Sequence, residues 1–151
     1  MKIIEKDILT VEKGIICQQV NCQGVMGSGL AKSIREKWPI VYKSYLATCK
    51  TYQPNFVLLG QHNLTGVTDD LYVANIWGQL NYGYDGERYT DYGALRMAFS
   101  RMRDGLAGDE RDIYFPFNFG CDRGGADWNI VSKMIEFYLP NAIICKLPQR
   151  G

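Results

Sequence analysis

Apolar and polar positions along this chain change period from segment to segment, and each change predicts an element. Ile3 to Leu9 reads as a first strand. Ile15 to Val20 reads as an apolar strand buried on both faces. From Leu30 the period becomes helical, with apolar residues at 30, 31, 34 and 38 on one face. Pro39 breaks or restarts that helix. A second helical run follows, with Tyr42, Tyr45, Leu46 and Cys49 facing inward. Asn55–Gly60 and Asp70–Trp77 read as two strands, and HNLTGVTD between them reads as a hairpin loop. Gly78 to Thr90 has neither period and predicts a long loop. Thr90 is the expected cap of a helix with apolar positions 92, 95, 98/99, 102 and 106, ended by Gly105 and Gly108. Asp112–Asn118 predicts a strand, and Trp128, Val131, Ile135 and Tyr138 mark one stripe of a further helix. Ala142–Leu147 predicts the last strand. Strand and helix therefore alternate, as in an α/β fold.

Two of the strands run into glycine-rich turns. The first is VNCQGVMGSGLA, from Val20 to Ala31, with glycines at 24, 27 and 29. Glycine lets the backbone bend sharply and approach a ligand closely, and the helix that follows offers free N–H groups and a positive dipole end. The segment is no Walker A loop, because no Gly-Lys-Ser/Thr follows, and it is no clean GxGxxG. Taken alone it fits a phosphate cradle and a structural turn equally. The second turn runs from Phe119 through Gly120, Cys121, Asp122, Arg123, Gly124, Gly125, Ala126 and Asp127 to Trp128. In an open α/β sheet, ligands bind outside the carboxyl ends of the strands, and both turns lie at such ends. Two cradles converging on one crevice suit a ligand with two linked phosphates.

Composition narrows the class. The chain has 151 residues, 46 % hydrophobic and 22 % charged, which suits one globular domain over 1–151. Its net charge of +1 argues against a broad nucleic-acid surface. No apolar run approaches membrane-span length and the N-terminus is no signal peptide, so a cytoplasmic monomer is the default expectation. Five scattered cysteines without a CxxC pair read as buried thiols in a reducing compartment. No metal cluster shows at ligand spacing.

Taken together, Asp7-Ile8-Leu9, VNCQGVMGSGLA, the strand VANIWGQ and NFGCDRGGADW resemble a macro domain over nearly the whole chain. The first turn is similar to the branch containing ADP-ribose 1''-phosphate phosphatases and ADP-ribosyl-glutamate or ADP-ribosyl-DNA hydrolases. The resemblance implies a three-layer α/β/α fold with a mixed, mostly parallel sheet, and small-molecule ADP-ribose derivatives as ligands without a further cofactor. By the same resemblance Asp7 and Ile8 meet the adenine. Asn21 sits near the distal ribose. Gly24, Met26, Gly27, Ser28, Gly29, Leu30 and Ala31 hold the diphosphate and that ribose, and Phe119 to Gly125 closes from the other side. The glutamate- and DNA-directed hydrolases carry a lysine after the strand read here as YVANIWGQ, where this chain has Ile76 to Gln79 and no lysine. Their partner aspartate falls at Gly124. A lysine Schiff-base route is therefore not expected.

The candidates for chemistry are Asn21, Gln79 and Asp127. Asn21 bonds a ribose hydroxyl or phosphate, or closes its turn. Gln79 orients a water, or is a solvated strand end. Asp127 acts as general base, or caps the last helix. Asp122 orients water, or pairs with Arg123. Tyr82, Tyr84, Tyr89 and Tyr92 shield a ligand, or pin the loop to the core. Arg88 reaches a terminal phosphate, or stays an exposed loop arginine. His62 reads as a lone surface histidine. Hydrolysis of ADP-ribose 1''-phosphate is the first functional expectation. A non-catalytic ADP-ribose binder and a hydrolase that removes ADP-ribose from a macromolecule are the alternatives.

Overall fold

The computed structural model describes residues 1–148. The described strands are β1 (Lys2–Glu5), β2 (Gly14–Asn21), β3 (His62–Gly66), β4 (Leu71–Gln79), β5 (Ile113–Pro116) and β6 (Ile143–Lys146). The helices are α1 (Gly29–Lys37), α2 (Pro39–Thr51), α3 (Tyr92–Gly105) and α4 (Trp128–Tyr138). The strands form one sheet in the order β1-β6-β5-β2-β4-β3. All neighbours pair in parallel except β3, which runs antiparallel to β4 at the edge.

Side-chain alternation along the strands divides the core in two. Ile16, Val20, Val73 and Trp77 face one side and pack with Ile34, Val41, Tyr45 and Cys49 of α1 and α2. Ile15, Cys17, Ala74, Ile76, Phe115 and Ile144 face the other side and pack with α3 and α4 through Leu95, Phe99, Met102, Val131 and Ile135. The period of two in a strand thus builds the two outer layers of an α/β/α sandwich.

Several elements depart from the pattern-based reading, each for a local reason. The first strand stops at Glu5 because Asp7 turns the chain, its Oδ1 accepting from Leu9 N at 2.9 Å to start a single 3-10 turn, Ile8–Thr10. Asn55–Leu58 is a 3-10 turn and not a strand; of its apolar run only Leu58 is buried, while Phe56 and Val57 are exposed. The segment expected as a hairpin loop holds strand β3 instead. The cap of α3 is Asp91 and not Thr90: the Asp91 side chain accepts from Ala94 N at 3.0 Å. Pro39 does restart the helix, as the first residue of α2.

Candidate functional site

The chain leaves β2 toward one face of the sheet, through α1, and leaves β4 and β5 toward the other, through α3 and α4. A crevice opens at the carboxyl ends of these three strands, which is the switch point of an open α/β sheet. It is a cleft of about 180 Å³ with one wall from Val25 to Ala31 and the other from Pro116 to Gly124. The end of β2, Gln79 and Tyr82 to Tyr84 complete it.

The first wall is built around Asn21. A register shift between Val20 and Asn21 marks a bulge at the end of β2. Asn21 Nδ2 donates to Val25 O at 2.8 Å, and its Oδ1 accepts from Gln23 N at 2.9 Å. The Tyr45 hydroxyl of α2 lies 2.7 Å from both Asn21 O and Asn21 Oδ1 and donates to one of them. The same hydroxyl accepts from Gly24 N at 3.0 Å and Val25 N at 3.1 Å. Burial, the first cause, and the nearby Cys49 hold this phenol neutral by raising its pKa. Asn21 therefore lines the cleft but has both side-chain atoms engaged in shaping the turn.

From that turn α1 sets out with Ser28 at its N-cap and no side-chain capping bond. Gly29, at φ 58°, takes the left-handed backbone that glycine adopts without strain. The first-turn N–H groups of a helix have no intrahelical partner. In α3 and α4 aspartates cap them, Asp91 to Ala94 N and Asp127 to Asn129 N. In α1 no side chain does so, and Ser28 to Ala31 face the cleft. No acidic residue lies in its first turn.

The second wall is locked to the 80–90 loop. Thr90 Oγ1 donates to Gly120 O at 2.8 Å and accepts from Gln19 Nε2 at 2.8 Å. Gln19 Nε2 also reaches Gln79 Oε1 at 2.7 Å, and Gln79 Nε2 donates to Asn81 O at 2.8 Å. Tyr89 N and Thr90 N both bond Gly124 O. A Cβ at Gly124 would overlap Gly120 O and Thr90 Oγ1, so only glycine fits this joint. Arg123 lies over the Tyr84 ring, 4.2 Å from its centroid, and Arg88 over Tyr92 at 4.5 Å. Among the described residues Arg123 makes no ion pair with Asp122.

Of the residues anticipated from the sequence, Asn21, Gln79, Met26, Gly27, Ser28, Gly29, Leu30, Ala31, Phe119, Gly120, Asp122, Arg123 and Gly124 meet around the cleft. Gly24, Cys121 and Gly125 belong to the same turns but do not line it. Asp127 also lies outside the lining and caps α4. Asp7 and Ile8 stand apart, Asp7 as a cap and Ile8 buried, in a turn that packs against β5. Gln79 is buried and bonded through both side-chain atoms rather than solvated. The anticipated set omitted Gln19 and Asn118. Asn118 holds φ 64° at the end of β5, and its carbonyl accepts from Cys121 N. An asparagine before a glycine-rich turn was the available signal, because Asn tolerates this backbone better than other side chains.

The lining is chemically spare. Among the described residues Asp122 is its only carboxylate and Arg123 its only cation, and no lysine or histidine lines it. The neighbouring Cys121 thiol is pushed up to about 11, by burial first and then by Asp122 and Asp127, so it remains protonated near neutrality. Among the described residues no group of three or more His, Cys, Asp or Glu is placed to hold a metal ion. Among them also, no helix is long and apolar enough to cross a membrane.

This layered sheet, with its cleft between two glycine turns, is the macro-domain fold. A macrodomain protein from Streptomyces coelicolor superposes with a TM-score of 0.78 at 22 % identity, covering 99 % of this chain and 98 % of its own. The macrodomain of Mycobacterium tuberculosis DarG gives 0.77 at 19 % identity, with 98 % of each chain covered. Thermosipho africanus DarTG, solved in complex with ADP-ribose, gives 0.76 at 18 % identity over 99 % of this chain and 42 % of that one. No family sequence model matches the chain. No curated protein sequence matches it either.

Proposed function

We propose that the cleft binds ADP-ribose. The observation that carries this reading is the uncapped start of α1, whose free N–H groups face a second glycine turn across the crevice. A helix N-terminus without a competing carboxylate favours an anion through both hydrogen bonding and dipole. Together with the glycine turn opposite, this helix start matches a diphosphate better than a single phosphate. The ADP-ribose held by the Thermosipho africanus neighbour supports the ligand's identity. In this pose the adenine extends past the end of β5 toward Asp7, whose turn packs on that strand. Tyr82 and Tyr84 shield the exposed side.

A second reading adds chemistry: hydrolysis of ADP-ribose 1''-phosphate. Asp122, the one carboxylate lining the cleft, favours it, and Asp122 suits the general-base role better than Asp127. Water attacks phosphorus and gives its proton to the carboxylate. The bond from phosphorus to the 1'' oxygen breaks, that oxygen takes the proton from the Asp122 carboxyl, and ADP-ribose and orthophosphate are released. Backbone donors and Arg123 offset the charge on the transferring group. Asn21 and Gln79 act in this scheme as positioning residues. The lysine-free lining gives a Schiff-base removal of ADP-ribose from macromolecules no support.

A phosphorus NMR time course with ADP-ribose 1''-phosphate tests both readings. Growth of orthophosphate, absent in Asp122→Asn, is expected for the hydrolase. Shifted diphosphate signals without orthophosphate would leave a binder. Unchanged signals would overturn the ligand assignment.

A further inference from the structure

Outside the cleft, on the far side of the first turn, lies an open groove of about 590 Å³ walled by Gly27, Lys32, Arg35, Pro39, Tyr42 and Lys43. Met26 and Gly27 line both spaces, so the turn is a shared wall. The groove presents three cations against one carboxylate, Glu36. Among the described residues none of the three cations forms an ion pair. The asymmetry extends beyond the groove: residues 29–51 hold five lysines and arginines and one acid, in a chain of net charge +1. Neither α1 nor α2 has an acidic residue in its first turn. Arg35 is held rather than free, its guanidinium 3.7 Å from the Tyr42 ring centroid. That stacking fixes the planar donors of Arg35 in the groove, where they suit bidentate contact with a phosphate.

We infer that this groove is a second anion site, and that its ligand is a phosphate-bearing group. Three unpaired cations converging on one opening match the charge of a phosphate or phosphodiester run better than a single carboxylate. Such a concentration of charge on a nearly neutral protein also marks where an anion is steered. The site stands independently of what fills the cleft. Because Gly27 divides the two spaces, one elongated phosphate-bearing molecule can occupy both.

The test uses backbone amide shifts of the full chain, with and without ADP-ribose, titrated with sodium tripolyphosphate, hexathymidylate and, as the carboxylate control, hexaglutamate. The expected result is saturable shifts at Lys32, Arg35, Tyr42 and Lys43 with at least one phosphate probe, weakened at least tenfold in Lys32→Gln/Lys43→Glu. ADP-ribose affinity of that variant should stay within twofold of the parent. Tripolyphosphate alone would identify small anions, and hexathymidylate alone a phosphodiester chain; either supports the site. Shifts confined to the two glycine turns would overturn it, as would tighter binding of hexaglutamate or undiminished phosphate binding by the variant. Lys43→Gln, which only removes an exposed charge, repeats the comparison if the double variant fails to fold. Failure of the ADP-ribose reading would show separately, as unmoved amides at Gly29 and Gly120 with ADP-ribose.

Discussion

Asn21 joins the sheet to the first turn through bonds to Gln23, Val25 and Tyr45. Replacing it by alanine leaves the Gln23 N–H and the Val25 carbonyl short of partners, while the Tyr45 hydroxyl keeps the Asn21 backbone carbonyl. Each such loss costs about 1–3 kcal/mol when the group stays buried. Asn21→Ala is therefore expected to lower unfolding stability by about 2 kcal/mol and ADP-ribose affinity at least tenfold. Urea denaturation and calorimetric titration measure the two effects. Loss of turnover with stability and affinity intact would instead place Asn21 in the chemistry. His62 carries a separate signature. Burial, and then Arg101, lower its pKa from 6.5 in the folded protein. The unfolded chain then takes up the proton first, so this contribution is present above pH 6.5 and is lost as pH falls toward the folded pKa. Urea midpoints between pH 7.5 and 5.5 should fall more for the parent than for His62→Gln. Parallel curves would contradict the assignment.

The three helices beside the cleft begin differently. Asp91 and Asp127 cap α3 and α4, while Ser28 leaves the start of α1 open toward the cleft. Ser28→Asp should add a cap and a favourable dipole interaction of about 0.5–1 kcal/mol. It should also place a negative charge where the diphosphate sits. The expected outcome is a raised melting temperature with ADP-ribose affinity reduced at least tenfold; an unchanged affinity would remove the ligand from this helix start. Elements with strong periods were legible from the residues: β2, α1, the α2 restart at Pro39, α3 and α4. The longest misread segment was 55–66, in addition to the end of the first strand and the cap of α3. NFVLLG has the apolar run of a strand, yet only Leu58 of the 3-10 turn within it is buried. HNLTG is a strand although its residues are mostly polar, because pairing with β4 supplies what side-chain burial does not. Turn glycines likewise announced both walls, but whether Asp127 faced the ligand or its own helix depended on capping geometry. Gln19, reaching across to Thr90 and Gln79, depended on strand register, which no local pattern carries.

Across the whole molecule, topology rather than any single side chain makes the site. Helices leave β2 on one face and β4 and β5 on the other, so the crevice exists before the glycine turns line it. The turns then line the crevice with backbone N–H groups and few ionisable side chains, and on the proposed reading this suits phosphates more than acid–base work. Charge is distributed to match, with α1 and α2 basic beside the first wall. The most direct test of the central claim is a backbone amide shift map recorded on adding ADP-ribose. Saturable shifts at Gly27 to Ala31 together with Gly120 to Gly124, and none on the outer face of α4 at Ile130 and Phe137, are predicted. Saturation with only one of the two turns moving, or no shift at millimolar ligand, would contradict it.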